Sequence, residues 1–456
     1  MIFAVPLAWL QLTYQKSRLL VAIAGITFAV VLIFMQIGFQ DALFRSAVRL
    51  QKSLQGDLVI ISPQSTNLVG MRNFSQRRLY QALNYPEVER INSLYIGLAA
   101  WKIAESQSGQ TRNILILGFN PDANIFKIPG VKQNLANLKL QDVVLFDRGS
   151  RAEFGPIPNL CGIEPALKTA YTPAAFECKN LVTREVANRK LRVGGLFELG
   201  SSFAADGAII TSDLNFLRIF DTRRPGLINV GLIDLKPAVK PEAVMLQFVR
   251  DLPGDQVVLA KGNLQLDSQR IAPFPGDRDK VLIRKADLTL EDVKLSGGKS
   301  GAIDLAVADT RIMTMQGFIN FELVYWQRGT AIGFIFTLGT IMGFIVGIVI
   351  VYQILYTDVS DHMAEYATLK AMGYTNLFLS KVVIQEAVVL SVLGYIPGLL
   401  MGNALYNLTR NATRLPIEMN LERVVQVFIL TLAMCTISGA ISLRKVQSAD
   451  PAEMFT

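Results

Sequence analysis

Residues 329–357 read GTAIGFIFTLGTIMGFIVGIVIVYQILYT, and residues 358–373 read DVSDHMAEYATLKAMG. The first segment carries no ionic side chain, and the second begins with two acids inside four residues. A helix needs about 20 apolar residues to cross about 30 Å of hydrocarbon, so the first segment is long enough to span a bilayer. Three other charge-free windows qualify in the same way: 19–40, 387–409 and 424–443. Ionic residues bound each of the four: Arg18 and Asp41, Arg328 and Asp358, Glu386 and Arg410, Arg423 and Arg444.

These windows predict a membrane protein of four transmembrane α-helices, with a large α+β domain between the first and second. The expected divisions are 1–18, an interfacial amphipathic helix; 19–40, span 1; 41–328, the large domain with stalk helices at both ends; and 329–357, span 2. Then come 358–381, a connector; 382–409, span 3; 410–423, a short loop; 424–443, span 4; and 444–456, a tail. Leu7, Leu10 and Tyr14 recur on one helical face beside Trp9, with Lys16 and Arg18 following, which suits a membrane interface. The first window also invites a signal-peptide reading. Its apolar run exceeds the usual h-region, and no small-residue cleavage site follows at Gly38–Phe44.

Composition agrees with a membrane protein. Of 456 residues, 51% are hydrophobic and 18% charged, against about 25% charged in soluble domains. The 45 basic and 37 acidic residues leave a net charge of +8. The basic residues are scattered and build no nucleic-acid module, so the excess suits anionic lipid headgroups and no nucleic-acid partner is expected. Basic residues near the spans are balanced between the two sides, so charge alone does not orient the chain.

Gly339, Gly343 and Gly347 recur every four residues in span 2, as do Gly394, Gly398 and Gly402 in span 3 beside Pro397. Such stripes let another backbone approach closely. They fit general helix packing, and they also fit a dimer or sliding interface. Gln36, Gln353, Asn403, Asn407 and Gln426 are expected to face protein rather than lipid.

Within 41–328, Asp41–Leu54 and Ile303–Gln327 read as helical stalks. Strand-like runs fall at Asp57–Ile61, Ile114–Leu117, Val143–Phe146, Ala208–Thr211, Ile228–Leu235 and Gln256–Ala260. Helix-like runs fall near Gln76–Leu83, Thr183–Lys190, Ser212–Phe220 and Pro241–Arg250. Cys161 and Cys178 form a disulfide if this loop faces an oxidising compartment, or else are two buried thiols. Cys435 reads as packing in span 4.

No catalytic centre is legible. The single histidine, His362, reads as a helix-surface residue, and three scattered cysteines make no zinc spacing. Leu295-Ser296-Gly297-Gly298-Lys299-Ser300 imitates a nucleotide-binding signature. A P-loop needs glycine where Val293 stands, so the run reads as a surface turn. No catalytic, cofactor-binding or metal-ligating residue is therefore assigned.

In the connector, Asp358 and Asp361 read as acids that favour a helix start, Glu365 precedes Lys370, and Gly373 closes the helix. The segment Glu365-Tyr366-Ala367-Thr368-Leu369-Lys370-Ala371-Met372-Gly373 is similar to the REIGILRALGA stretch of MacB/FtsX-type ABC permeases, with Glu365, Lys370 and Gly373 on that family's Glu, Arg and Gly. Leu443-Arg444-Lys445-Val446 with Ala449-Asp450-Pro451-Ala452 resembles the family's ending. The chain also resembles DevC-type permeases of cyanobacteria. Leu145–Ser150 (LFDRGS), Glu153–Pro156, Leu196–Gly200, Ser202–Gly207, Ile332–Phe336 and Ile350–Tyr356 carry that likeness. Asp255–Ala308 departs from it, being longer than the resemblance leads one to expect.

The resemblance implies a MacB-like, mechanotransmission-type membrane subunit without ATPase activity, working as a homodimer in the bacterial inner membrane. The large loop is then periplasmic. MgATP is bound by a separate ABC ATPase docked at Glu365–Gly373. A periplasmic membrane fusion protein and a TolC-like outer-membrane channel complete an efflux path for envelope glycolipid or another hydrophobic substrate. The alternative is an FtsX-like signalling subunit whose ATP-driven motion activates an envelope hydrolase. A receptor without an ATPase would leave 365–373 a plain connector.

Overall fold

The computed structural model describes residues 9, 16–103, 109–163, 171–202, 205–265, 270–413 and 415–447. Most of the amino-terminal amphipathic stretch, Phe203 and Ala204 of the motif above, and the tail from 448 onward lie outside the described residues. The chain divides into two compact units, residues 1–43 with 330–456, and residues 44–329.

The membrane unit holds four long apolar helices, Lys16–Ala47, Ala331–Asp361, Asn376–Thr413 and Leu421–Gln447. Each runs beyond its charge-free window. The third has 38 residues, about 57 Å at 1.5 Å per residue, far more than the hydrocarbon core needs. Its charged ends therefore extend past the apolar layer as helix. Side chains such as Ile26, Val30, Phe34, Leu390, Val427 and Met434 form its core. Hydrogen bonds cross between helices: Thr27 Oγ1 donates to the Gly394 carbonyl (3.1 Å), Gln36 Nε2 to Phe336 (3.2 Å), Tyr395 Oη to Val424 (2.6 Å) and Ser438 Oγ to Ile348 (2.9 Å). Each such bond contributes about 0.6–2 kcal/mol in a membrane.

The second unit is built on β1 (Leu58–Ile61), β2 (Phe74–Ser75), β3 (Val88–Lys102), β4 (Thr111–Phe119), β5 (Val143–Asp147), β6 (Glu177–Val186), β7 (Arg189–Phe197), β8 (Ala208–Ser212), β9 (Leu227–Ile228), β10 (Val230–Leu235), β11 (Gln256–Ala260), β12 (Ile271–Phe274), β13 (Asp277–Arg284), β14 (Asp304–Ala306) and β15 (Arg311–Thr314). Thirteen of them make one sheet, ordered β12-β13-β11-β14-β15-β1-β10-β3-β4-β8-β5-β7-β6. A bridge from Trp101 of β3 to Val186 of β6 curls the second half back on itself. Most neighbours are antiparallel, while β4–β8 and β5–β7 are parallel. Alternate residues face two cores: Leu58 and Ile60 enter one, Val59 and Ile61 the other. That is why β1, LVII, is apolar throughout rather than alternating.

Four expectations are corrected. Gln353, Asn403, Asn407 and Gln426 lie on the exposed surface of the membrane unit, and of the five polar residues only Gln36 turns inward. Thr183–Lys190 is not helical but the tight hairpin between β6 and β7. Ala187 and Asn188 both take positive φ (49° and 62°), as a two-residue type I′ turn requires. Within Ile303–Gln327, residues 304–314 form β14 and β15, and helix begins only at Met315, where Thr314 caps the Gly317 N–H. The run Leu295–Ser300 ends the helix Leu290–Ser296, which opens with a Thr289/Asp292 capping box. A short turn follows, with positive φ at Gly298 and Gly301.

Candidate functional site

Asp358 and Asp361 do not start the connector helix. They lie in the last turn of Ala331–Asp361, where the negative end of the helix dipole disfavours acids. The chain turns one residue later, at His362. Arg18 offsets one of the acids, and His362 lies against the other. Arg18, at the start of the first span helix, forms an ion pair with Asp361. His362 Nδ1 lies 3.0 Å from the Asp358 carbonyl oxygen and 3.8 Å from its Oδ1. His362 is thus not a surface residue but a buried hinge residue, 7% exposed.

The connector helix, Met363–Ala371, buries one side and exposes the other. Tyr366 and Ala367 are buried. Tyr366 packs with Val359 of the second span and Leu379 and Val383 of the third, and Met363, Leu369 and Phe378 close the cluster. Ala364, Glu365, Thr368, Ala371, Met372 and Gly373 form the exposed face, while Lys370 is half-buried. A Schellman closure ends the helix. The Gly373 N–H donates to Lys370 (3.1 Å) and the Tyr374 N–H to Leu369 (3.1 Å), with Gly373 at φ 93°. Beyond it the Tyr374 ring packs at a tilt against Phe378, centroids 4.7 Å apart, and Met372 and Leu377 are 64% and 68% exposed. The result is an acid-edged apolar knob on a short helix, braced by two spans.

Glu386 was legible only as the border of an apolar window. It lies well inside the helix Asn376–Thr413 and is fully buried. Among the described residues, neither of its carboxylate oxygens has a hydrogen-bond partner. The acids facing it are Asp358 and Glu365. Helical spacing could have found it, because Leu379, Val383 and Leu390 share its buried stripe.

The two glycine stripes pack within the chain. A Cβ added at Gly394 would meet Ile26 at 2.5 Å, one at Gly398 would meet Val30 at 2.6 Å, and one at Gly402 would meet Phe34 at 3.2 Å. Gly339 sits against Gln36, Gly343 near Ile33 and Gly347 against Met434.

In the sheet domain, LFDRGS and FELGSS meet. Asp147 is fully buried and accepts from the N–H groups of Gly149 (2.9 Å), Leu199 (3.0 Å) and Gly200 (3.0 Å). Burial pushes its carboxyl up to about 6 although these N–H bonds pull it down. Arg148 pairs with Glu198 and lies over Tyr171 and Phe176, 5.2 and 4.3 Å from the ring centres. Asp206 binds Arg112 (2.7 Å) and Arg151 (3.0 Å). Gly149 lies so close to Gly200 that a Cβ would come within 2.6 Å of its Cα. Cys161 and Cys178 form a disulfide, S–S 2.09 Å. Cys435 is a buried thiol. Among the described residues no three His, Cys, Asp or Glu side chains gather to hold a metal.

No curated protein matches the sequence. Solved structures similar to parts of it include the following three. The periplasmic region of MacB from Actinobacillus actinomycetemcomitans is 9% identical over 53% of this chain and 94% of that one, TM-score 0.26. The extracellular domain of the noncanonic ABC-type transporter YknZ from Gram-positive bacteria is 10% identical over 42% of this chain and 88% of that one, TM-score 0.26. A domain of a permease protein from Porphyromonas gingivalis is 11% identical over 44% and 81%, TM-score 0.24. Residues 325–451, which hold the second to fourth spans and the connector helix, match the FtsX-like permease C-terminal family.

Proposed function

We propose that this chain is the non-catalytic permease subunit of a tripartite ABC exporter of the MacB/FtsX superfamily, of DevC type. A separate ATPase binds and hydrolyses MgATP and docks on Met363–Gly373. The observation that carries the reading is the connector helix itself. It is buried on one face against two spans and exposed on the other, and it lies inside the segment similar to FtsX-like permeases. Force applied to its exposed face reaches Val359 of the second span and Leu379 and Val383 of the third through Tyr366.

The disulfide supports the orientation, since disulfides persist in oxidising compartments. The sheet domain is then periplasmic and, by alternation of spans, the connector helix is cytosolic. The chain works as a homodimer in the bacterial inner membrane. Its large domain engages a periplasmic membrane fusion protein and, through it, a TolC-like channel. The cargo is an envelope glycolipid or another hydrophobic compound.

Two experiments test this. Affinity purification from the native membrane should recover an ABC ATPase with a fusion-type adaptor. An ATPase with a cell-wall hydrolase instead would replace export by FtsX-like signalling, and no ATPase at all would sink both. Glu365→Lys, on the exposed face, should leave the fold intact and uncouple ATP hydrolysis from transport. Normal coupling in that variant would remove the docking assignment.

A further inference from the structure

A groove of 490 Å³ opens at the end of the membrane unit that carries Arg18 and Asp358. Its size falls within the usual range of small-molecule sites. Its chemistry is segregated by helix register. The Arg18–Asp361 pair aligns the helix ends, and two turns inward Gly25 faces Ile350 and Ile354, a Cβ there coming within 2.9 and 3.3 Å of them. The polar lining, Arg18, Gln353 and Asp358, is therefore outermost, and the apolar lining, Val21, Gly25, Ile350 and Ile354, lies deeper. Val21 is 67% exposed, so the groove is open along its side, where acyl chains of a bilayer lie.

Two features define the ligand. The lining holds Arg18 and Asp358, and Arg18 is already paired with Asp361, so the rim carries no spare cation for an anionic headgroup and favours one without net negative charge. Asp358 is also an acceptor in want of a donor. Among the described residues nothing donates a hydrogen bond to its carboxylate, and its Oδ2 is buried without a partner. Such an acceptor at the rim of an apolar groove is stabilised by whatever donor reaches it.

We propose that this groove binds a membrane lipid whose acyl chain lies along Val21–Gly25 and Ile350–Ile354 and whose net-neutral headgroup donates hydrogen bonds to Asp358. An ethanolamine ammonium and sugar hydroxyls share that chemistry, whereas choline has no donor. The inference needs only that the helices span a bilayer, and is independent of the ATPase reading.

The test uses the full chain in phosphatidylcholine nanodiscs doped with either phosphatidylethanolamine or a monoglycosyl diacylglycerol. After mild extraction, the lipid retained is measured by mass spectrometry. A charge-assisted hydrogen bond predicts about tenfold enrichment of a donor lipid over phosphatidylcholine. Enrichment of the ethanolamine lipid alone assigns an ammonium, of the glycolipid alone hydroxyls, and either supports the site. Asp358→Leu should abolish the preference. Val21→Trp, at an exposed position that does not endanger folding, should fill the groove and lower retention of either donor lipid. Equal retention of phosphatidylcholine, or donor enrichment unchanged in Val21→Trp, would overturn the proposal.

Discussion

Glu322 gives the sharpest test of the sheet domain. It stands in the helix Met315–Arg328, is completely buried, and accepts from the Leu68 N–H (2.7 Å) and Trp326 Nε1 (2.8 Å). It thereby ties the 62–73 loop to the helix that leads into the second span. Burial raises its carboxyl from 4.5 to about 7, against the pull of both hydrogen bonds. A group whose folded value is raised contributes stability that is full below pH 4.5 and lost as pH rises through 7. At about 1.4 kcal/mol per pH unit, the loss is on the order of 3 kcal/mol. Glu322→Gln cannot titrate, but its amide faces one N–H donor and forfeits one hydrogen bond, a constant cost of about 1–3 kcal/mol. The difference between wild type and variant should therefore shift by about 3 kcal/mol between pH 4.5 and 8, in favour of the variant at high pH. The assay is hydrogen exchange of the peptide covering 62–73, corrected for the intrinsic pH dependence of exchange. Wild-type protection should fall by about a hundredfold across that range while the variant stays flat. Parallel pH profiles, or wild-type protection that rises with pH, would refute the assignment.

Two further outcomes follow from packing and covalent structure. Gly398→Ala, whose Cβ would come 2.6 Å from Val30, should cost about 1–3 kcal/mol in thermal unfolding of the detergent-solubilised chain, whereas Gly343→Ala, 3.9 Å from Ile33, should be neutral; equal effects would show that the stripes do not pack as described. Cys161→Ser with Cys178→Ser opens a link across a sequence separation of 17 and should cost about 3 kcal/mol, read as lost exchange protection in β6; unchanged protection there would remove the disulfide from the domain's stability.

The sequence made the spans legible because lipid imposes a rule with few exceptions: long charge-free helices. It made β1, β4, β5 and β8 legible because apolar runs fill a sheet buried on both faces, and β11 because Val257 and Leu259 alternate into one core. It hid β3, VERINSLYIGLAAWK, whose polar residues break the run although Tyr95, Ala99 and Trp101 all reach one core. It also hid the Ala187–Asn188 turn, since alanine gives no sign of a positive φ. In the connector the exposed and buried residues followed helical spacing, but the place of Asp358 and His362 did not. Whether an acid ends one helix or starts the next depends on how far the first one runs, and its partner there, Arg18, comes from a distant part of the chain. Long-range partners also explain the large-domain motifs. Leu145–Ser150 and Leu196–Gly200 resemble a family pattern, and the reason for their residues appears only once Asp147 is seen binding the backbone of Leu199 and Gly200.

That contrast separates residues kept for folding from residues kept for function. In the motif cluster Asp147, Arg148 and Asp206 all have partners. Polar capacity is spent internally, so substitution there should be read as lost stability. In the membrane unit Glu386 is buried with neither oxygen hydrogen-bonded among the described residues, an arrangement that lowers stability wherever it occurs. An apolar side chain of similar length removes that cost, so Glu386→Met should be neutral or stabilising, by about 1–3 kcal/mol. The readouts are the thermal midpoint of the solubilised chain and, on the proposed function, the transport-coupled rate of the partner ATPase. A stable variant with weakened coupling would mean that the acid, facing Asp358 and Glu365 beside the connector helix, is retained for its part in motion. A variant that melts earlier than wild type would show that Glu386 has a stabilising partner after all, and the separation drawn between the two clusters would fail.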